Sequence, residues 1–349
     1  MIAAKPGMLA LISSGETAPA GRRVHEWLFQ QLIPPIRAAI LETPAGFEVN
    51  SDYVAGRIAD FMVSHLQNYK PQVSVIPARR RDIAEGTDSP HILAPLLKAN
   101  YIFMGPGSPT YAVRHLAGTR AWHTLVARHR LGAILSFASA GAIAAGAYAL
   151  PVYEIYKAGE DPHWRPGLDL LGPYGLQLVF VSHWNNSDGG AYLDTSRCFM
   201  GKARMEYLLS LLHHDTVVIG IDEHTALTID LGLGSCLVLG DGSITLMRAG
   251  QEEVHPSGST FPLHKLGPVH WPAPQEGIPE KVWHEVLTSQ TEGEEEALPE
   301  EVASLIQRRE AARRSRDWAT ADKLRDILEA LGYQVMDTPQ GPRWERRRG

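Results

Sequence analysis

The feature that most constrains the fold is a regular alternation of strand-length apolar runs with stretches of helical spacing. The apolar runs are rich in Val, Ile and Leu and lie at 8–13, 36–41, 73–77, 101–104, 132–138 and 176–182. Between the first five runs, apolar residues recur three or four positions apart at 24–32, 54–66, 92–97 and 111–127. This alternation predicts strands that are each followed by a helix, and a parallel sheet covered by helices on both faces.

The second half of the chain changes character. The runs 216–230 and 235–249 are typical of consecutive strands, and Asp241-Gly242 predicts a hairpin within the second run. Prolines and the acidic run 292–296 predict a linker over 272–298, with at most a short helix near 282–287. Two amphipathic helices follow, with Asp317 as the cap between them and Gly332 at the end of the second. We therefore expect an α/β domain over 1–271 and a small helical hairpin over 299–349.

Composition excludes several classes of protein. With 349 residues, 44% of them hydrophobic, the chain can bury a full core. Its net charge of −6 gives the whole chain no general affinity for nucleic acid or anionic membranes. Two cysteines, Cys198 and Cys236, are too few for a disulfide scaffold or a zinc cluster, and they favour a reducing cytosol. Because the sequence has no signal-peptide core and no apolar run of bilayer length, a soluble cytoplasmic protein is expected.

Ser139 lies where an apolar strand ends and an alanine-rich helix begins. The run 132–138 predicts a buried strand, and the run 140–150 favours a helix. A sharp turn between them would lift the Ser139 hydroxyl out of the sheet and direct the following backbone N–H groups at one point, as a nucleophilic serine requires. A small residue at a tight strand–helix contact explains the same pattern, so the residues alone leave both interpretations open.

Other strands end in residues that carry chemistry, at the edge of the sheet where α/β proteins bind ligands. The run 105–107, Gly-Pro-Gly, lets backbone approach a ligand closely, and the Gly107 N–H is a candidate oxyanion donor. His183 leaves a strand and is a candidate general base, although a polar rim position is the commoner role of such a histidine. Glu223 precedes another strand, where a solvated edge is the alternative. The histidine spacing does not fit a zinc site, so no metal is predicted.

In their order and spacing these segments resemble the peptidase E and cyanophycinase family of serine peptidases, relatives of the class I glutamine amidotransferase-like fold. The resemblance covers roughly residues 8–250 and is carried by the segments 105–116, 139–142, 167–184, 199–208 and 220–227. It implies a flavodoxin-like three-layer α/β/α sandwich with a mostly parallel sheet. It also implies a Ser–His–Glu triad in which Ser139 is the nucleophile, His183 the base and Glu223 the acid. Phe137 stands where the family usually has glycine, and a bulky residue there is expected to obstruct the turn or narrow the cleft.

Further roles follow from the same resemblance. The N–H groups of Gly107 and Ala140 would form the oxyanion hole, and Glu154 is an alternative acid for orienting His183. Family members prefer acidic or aspartate-derived residues beside the cleaved bond. Arg197 and Arg204 are therefore candidate ligands for a substrate carboxylate.

The C-terminal segment carries a resemblance of its own. The helical stretch 305–328, the run 337–341 (Asp-Thr-Pro-Gln-Gly) and Trp344 resemble the extreme C-terminal segment of cysteinyl-tRNA synthetase. The chain lacks the synthetase's His-Ile-Gly-His and Lys-Met-Ser-Lys-Ser signatures, so aminoacylation is not expected. Basic clusters at 308–316 and 346–348 are compatible with RNA contact, whereas interspersed acidic residues favour a packing or docking module with a solvated face.

Two classes of function stay open. The first is a serine peptidase or amide hydrolase acting on small peptides, acidic or aspartyl peptides among them, through the triad and an acyl-enzyme. The second is a catalytically inactive amidotransferase-like binding module with a tRNA- or translation-linked tail over 299–349. Neither requires a cofactor or a membrane. The partners to consider are a small peptide, tRNA or another RNA, a protein bound by the tail, and a second copy of the chain.

Overall fold

The computed structural model describes residues 5–296, 300–315, 317–338 and 341–346. The chain divides into two compact units between Val286 and Leu287. The strands of the first unit are β1 (Leu9–Ile12), β2 (Arg37–Leu41), β3 (Gln72–Ile76), β4 (Tyr101–Met104), β5 (Ile134–Ala138), β6 (Tyr148–Ala149), β7 (Arg165–Pro166), β8 (Leu178–Val181), β9 (Val217–Ile221), β10 (Thr225–Asp230), β11 (Ser235–Gly240), β12 (Ser243–Arg248), β13 (Gln251–Pro256) and β14 (Thr260–Pro262). Its helices are α1 (Pro19–Phe29), α2 (Ser51–His65), α3 (Pro90–Lys98), α4 (Pro109–Leu116), α5 (Arg120–Arg130), α6 (Ala140–Ala144), α7 (Val152–Tyr156) and α8 (Gly201–Ser210), and α9 (Glu280–Glu296) runs across the division.

A mostly parallel sheet forms the centre of the first unit. Within the described residues its strand order is β14-β11-β10-β1-β5-β4-β2-β3. The neighbours from β1 to β3 are parallel, and β10, β11 and β14 extend the sheet in antiparallel pairs. Side chains alternate along β1, so that Leu9 and Leu11 pack with α3, α4 and α5 while Ala10 and Ile12 pack with α1 and α2. Helices therefore cover both faces, and the predicted three-layer α/β/α fold is confirmed.

The predicted hairpin at Asp241-Gly242 is wrong. β11 pairs with β10 and β14, whereas β12 pairs with β9 and β13 in a second sheet of order β13-β12-β9-β8. The chain thus changes sheets at 241–242, as it also does at 222–224 between β9 and β10. The two corners bind each other, because the Ser243 N–H donates to Asp222 Oδ2 at 2.9 Å. A two-residue turn signal specifies a sharp turn, but the strands that pair afterwards are chosen by tertiary packing.

Two helical predictions also differ from the structure. The stretch 111–127 forms two helices, α4 and α5, because Gly118 adopts a φ of +71° and Thr119 caps α5. Where the sequence predicts a linker with at most a short helix, α9 runs from Glu280 to Glu296. Its first turns are anchored by Val282 and Val286, which are buried in a cluster with Ala127 of α5.

The second unit contains the predicted helical hairpin and a pair of strands. α10 (Glu300–Arg314) and α11 (Trp318–Ala330) share an apolar cluster, and the Asp317 side chain caps α11 by accepting from the Thr320 N–H at 3.1 Å. The cap at Asp317 is thereby confirmed. β15 (Tyr333–Thr338) and β16 (Gly341–Arg346) form an antiparallel hairpin that the sequence did not predict. Within the described ranges, no helix combines the length and apolar character needed to cross a membrane.

The strand order places a ligand-binding edge beside β2. β2 has β3 on one side and β4 on the other, so the chain reverses direction across the sheet between them. In open α/β sheets ligands bind at the carboxyl ends of the strands, next to such a reversal. Gly107, after β4, meets Pro44, after β2, and a Cβ on Gly107 would overlap the Pro44 carbonyl. Ser139 follows β5, the other neighbour of β4.

Candidate active site

Ser139 occupies the turn between β5 and α6 in a strained backbone conformation. Its φ of +49° and ψ of −112° lie outside the regions that most residues with a side chain adopt. The turn is held in place because the Ser139 N–H donates to the Ile12 carbonyl at 2.9 Å. Gly141 allows α6 to approach β4, since a Cβ there would lie 2.5 Å from the Met104 carbonyl oxygen. This is the strained strand–turn–helix arrangement that exposes the hydroxyl of a nucleophilic serine.

Phe137 does not obstruct this turn. Its side chain is fully buried in the core, opposite Leu11 of β1 and Met104 of β4. The ring belongs to the buried cluster that includes residues of α3, α4 and α5, and Phe137 is not among the described residues that line the cavity at Ser139. The expectation of an obstructed turn or a narrowed cleft is wrong, and the sharp turn forms without glycine at this position.

His183 follows β8 and brings its ring to the Ser139 hydroxyl. Its Nε2 atom lies 2.9 Å from Ser139 Oγ. The backbone of His183 has a φ of +54°, and its N–H donates to the Oγ of Ser13 at 2.6 Å. Ser182 adds a second link, since its hydroxyl donates to the Ser139 carbonyl at 3.3 Å. Hydrogen bonds to Ser13, which follows β1, and to the Ser139 turn thus connect the segment after β8 to the first sheet.

Glu223 lies at the corner between β9 and β10, behind the imidazole. Its Oε1 atom is 3.1 Å from His183 Nδ1 and 3.1 Å from Asn186 Nδ2. The Asn185 side chain fixes the corner by accepting from the Glu223 N–H at 2.8 Å. A carboxylate only accepts hydrogen bonds, so this contact assigns the proton of the neutral imidazole to Nδ1 and leaves Nε2 to accept from Ser139. Hydrogen bonds therefore join the three residues in the order Ser139, His183, Glu223.

Glu154, the alternative acid, lies on α7. Its Oε2 atom is buried without a hydrogen-bond partner, and within the described chain no hydrogen bond connects it to His183. The position behind the imidazole is occupied by Glu223. The geometry therefore favours Glu223 as the residue that orients His183.

The two candidate oxyanion donors face the same cavity as Ser139. Gly107 and Ala140 both line it, and in the described structure neither N–H donates to a protein acceptor. Gly107 has a φ of +145° against the Pro44 carbonyl, a position that a side chain could not share. Ala140 is the first residue of α6, so its N–H is one of those a helix leaves unpaired.

The cavity at Ser139, termed the Ser139 pocket, has a volume of about 210 Å³. Besides the catalytic candidates it is lined mainly by aromatic and aliphatic side chains, namely Ile143, Val152, Tyr153, Tyr156 and Phe199. The exposed Lys157 is the cation of its lining, and its ammonium lies 4.9 Å from the centre of the Tyr156 ring. Cys198 also lines the pocket, and burial raises the pKa of its thiol to about 12. A thiol that stays protonated is not a competing nucleophile.

The two candidate arginines lie outside this lining. The Arg197 guanidinium carbon is 4.2 Å from the centre of the Trp184 ring, over which it stacks. Arg204 is exposed on α8. Arg197 does have a structural link to the base, because its N–H donates to the Trp184 carbonyl at 2.8 Å and the Cys198 N–H donates to the His183 carbonyl at 3.1 Å.

Sequence reasoning missed the residues that shape the pocket. Tyr153, Tyr156 and Lys157 belong to α7 and the residue after it, and no spacing pattern marks them. Phe199 follows Arg197 and Cys198 in a turn in which all three have positive φ values. The only available signal was the concentration of aromatic residues at 153–156, which is equally typical of a core helix. Asn186, whose side chain donates to Glu223, was also missed.

One exposed group in the described ranges has the geometry to approach a metal ion. Ligand atoms of His213, His214 and Asp215 lie within 4.8 Å of one another in the segment before β9. Arg248 also approaches Asp215, at 3.9 Å. The group lies outside the lining of the Ser139 pocket.

Comparison with known proteins separates the two parts of the chain. The fold of the larger part is similar to the crystal structure of a peptidase from an acI-B1 Actinobacterium, with a TM-score of 0.59, 21% identity, and coverage of 74% of this chain and 98% of that one. A structure described as a putative peptidase E protein from Listeria monocytogenes matches more weakly, with a TM-score of 0.42, 15% identity, and coverage of 72% and 98%.

The C-terminal segment matches a different family. Residues 295–344 match the family model described as the cysteinyl-tRNA ligase anticodon binding domain. A cysteine–tRNA ligase of Caldicellulosiruptor saccharolyticus is 43% identical over 60 residues, which cover 17% of this chain and 13% of the ligase. The chain thus spans about an eighth of that ligase's length. Both predicted resemblances are confirmed: the large unit has the fold of a peptidase structure, and the C-terminal segment is similar to the ligases' anticodon binding domain.

Proposed function

We propose that the chain is a serine-type peptidase, or a related amide hydrolase, that acts on small peptides. The observation that supports this most strongly is the geometry of the Ser139–His183–Glu223 hydrogen bonds, with distances of 2.9 and 3.1 Å at a strained turn. A serine at a tight packing point needs neither the unusual backbone nor an imidazole whose far side is held by a carboxylate. The peptidase fold of the large unit is consistent with this function.

In the proposed reaction Ser139 Oγ attacks the carbonyl carbon of an amide bond. His183 Nε2 takes the hydroxyl proton as the new C–O bond forms, and Glu223 stabilises the imidazolium. The negative charge on the carbonyl oxygen is met by the N–H groups of Gly107 and Ala140, each worth on the order of 3 kcal/mol to the transition state. His183 then gives its proton to the leaving amine nitrogen as the C–N bond breaks, which leaves an ester on Ser139.

Water completes the reaction by the same steps. His183 Nε2 removes a proton from a water molecule that attacks the ester carbonyl, and the proton passes to Ser139 Oγ as the acid product leaves. The two half-reactions consume one water molecule and restore the enzyme, so no cofactor takes part.

Covalent labelling tests the proposal. A fluorophosphonate should label the wild-type protein, and the label should disappear in Ser139→Ala while far-ultraviolet circular dichroism stays unchanged. Ser210→Ala, at an exposed serine on α8, is the matched control and should label normally. Absence of labelling, together with no cleavage in a library of small peptides, would refute the hydrolase and favour the inactive binding module.

A second function is supported by the C-terminal match. We propose that the segment 295–344 contacts tRNA, because the matching family is described as an anticodon binding domain. Within the basic cluster, Arg308 is exposed, whereas Arg309 is only 3% exposed and bonds to Glu310 at 2.7 Å. The side chain of Arg314 lies outside the described residues, and so do the whole of Arg316 and residues 347–349. Of Arg308 and Arg309, Arg308 is therefore the one that can contribute to a cationic surface.

Retention of tRNA at two salt concentrations tests this second function. Binding by phosphate contacts weakens steeply as salt rises. Arg308→Glu should reduce retention, whereas Arg204→Glu on α8 of the first unit is the matched control and should not. Binding that is absent, or that does not depend on salt, would argue against tRNA contact.

A further inference from the structure

The Ser139 pocket has few charged groups. Its described lining includes the one ammonium of Lys157, which is exposed and lies against the Tyr156 ring. The remaining surface beside the catalytic candidates comes from Pro109, Ile143, Val152, Tyr153, Cys198 and Phe199. An ammonium that stays in water and rests on an aromatic face keeps its hydration and cannot act as a two-pronged clamp for a carboxylate.

The charges of two carboxylates act on residues that line the pocket. Glu223 lies behind His183, and its charge contributes to the raised pKa of Cys198 in the pocket wall. Burial raises the pKa of Tyr153, and the charge of Glu48, in the segment after β2, adds to that rise. A substrate carboxylate would be repelled by these groups and would lose its hydration among aromatic rings.

The expected arginine clamp is absent from this lining. Arg197 is stacked on Trp184, and its charge partly offsets the rise that burial causes in the pKa of Asp222. Arg204 is exposed on α8. Neither arginine therefore supplies the charge that an acidic side chain would need in the pocket.

We infer that the Ser139 pocket binds a large apolar side chain, such as that of Phe, Leu or Met, on the residue whose carbonyl Ser139 attacks. The inference rests on the proposed hydrolase function and specifies its substrate class. The pocket volume of about 210 Å³ is below the roughly 300–1,000 Å³ of sites for drug-sized ligands, so it suits one side chain of a short peptide. The acyl group stays attached to Ser139 through the second half of the reaction, whereas the leaving amine departs first. The apolar wall of the pocket therefore suits the acyl side.

Covalent probes measure this preference without a known substrate. Diphenyl phosphonates carrying a benzyl, an isobutyl or a carboxymethyl side chain would be compared by their rates of inactivation, read as loss of later fluorophosphonate labelling. Burial of an apolar side chain in such a pocket raises the reaction rate by about tenfold to hundredfold. The benzyl and isobutyl probes should therefore react at least about tenfold faster than the carboxymethyl probe.

Two variants connect the preference to the pocket. Phe199→Ala should reduce the benzyl rate relative to the fluorophosphonate rate measured in the same variant. Phe47→Ala, at a half-exposed ring outside the lining, is the matched control. Tyr153→Arg adds a cation at a side chain that is 45% exposed, so it should fold and should raise the relative rate of the carboxymethyl probe.

The outcomes separate this inference from the hydrolase proposal. If fluorophosphonate labels Ser139 but the carboxymethyl probe reacts as fast as the apolar probes or faster, the inference is overturned and the hydrolase stands. Labelling without reaction of any phosphonate also overturns it, because the pocket then admits no apolar side chain. If fluorophosphonate does not label Ser139 and no peptide of the library is cleaved, both proposals fail.

Discussion

Replacement of Glu223 by glutamine tests what the carboxylate behind His183 contributes. Glu223 Oε1 receives donors from both His183 Nδ1 and Asn186 Nδ2, each at 3.1 Å. The amide of Asn186 is itself oriented, because its Oδ1 accepts from the Asp188 N–H at 3.2 Å. In Glu223→Gln, Asn186 therefore still presents an N–H and selects the orientation in which the glutamine oxygen faces His183. The imidazole keeps its tautomer, and only the negative charge is lost.

The size of the effect follows from that difference. A hydrogen bond to a charged group is worth about 1.5–3 kcal/mol, against about 0.5–1.5 kcal/mol for a neutral pair. The Glu223 side chain is 31% exposed, so solvent screens part of its interaction with the imidazolium. A loss of about 1–2 kcal/mol is expected, which lowers the rate of the chemical step by about 5- to 30-fold.

Removal of Asn186 from the same variant should enlarge the effect. Without its N–H, the glutamine amide is free to turn its own NH₂ toward His183 Nδ1, which imposes the wrong tautomer. In a Ser–His–Asp enzyme that fault costs about 10⁴ in kcat. We expect Glu223→Gln/Asn186→Ala to lose at least about tenfold more than the two single variants combined.

The second-order rate of fluorophosphonate labelling measures these effects in all four proteins. The rates should be read at one pH and after confirming equal folding by circular dichroism. The reasoning fails if Glu223→Gln labels within twofold of wild type, or if the double variant is no slower than Glu223→Gln.

Three further predictions concern the fold around the site. Gly107→Ala should lose labelling and destabilise the protein by about 1–3 kcal/mol, because its Cβ would overlap the Pro44 carbonyl. The control Gly118→Ala, also at positive φ but with open space around it, should keep labelling. Equal labelling of the two variants would contradict this prediction. Phe137→Ala should cost about 3–5 kcal/mol in a urea titration without raising the labelling rate, and a faster rate would mean that the ring does narrow the cleft. Burial lowers the pKa of His25 to about 4, so in the unfolded protein His25 takes up a proton near pH 6.5 while in the native protein it does not. The free energy of unfolding should therefore fall as pH drops from about 6.5 to about 4. His25→Gln should show a smaller fall, and a pH dependence identical to that of the wild type would refute this contribution.

The sequence predicted the framework of the fold because buried parallel strands have a simple signature. The runs at 8–13, 36–41 and 101–104 became β1, β2 and β4, since strands that are covered on both faces must be apolar throughout. The strand that carries His183 was also predicted, but its place in a second sheet was not. Its neighbour β9 is set by contacts between residues far apart in sequence, and no local pattern encodes them.

The candidate site, like the fold, was only partly predicted from the sequence. Ser139, His183 and Glu223 were selected together through a family resemblance, and the structure brings them within hydrogen-bond distance. The side chains of the pocket were not selected, because Tyr153, Tyr156 and Phe199 owe their position to α7 and to a turn of positive φ values. Arg197 was selected because the same resemblance implies a site for a substrate carboxylate, and its stacking on Trp184 depends on packing that the resemblance does not predict.

The central claim is that Ser139 is a nucleophile served by His183 and by two backbone N–H groups. A crystal structure of the fluorophosphonate-treated protein tests it most directly. The account predicts a phosphorus atom bonded to Ser139 Oγ, with a phosphoryl oxygen about 2.7–3.1 Å from the nitrogen atoms of both Gly107 and Ala140. An adduct on another residue, or a phosphoryl oxygen directed away from both amides, would contradict it.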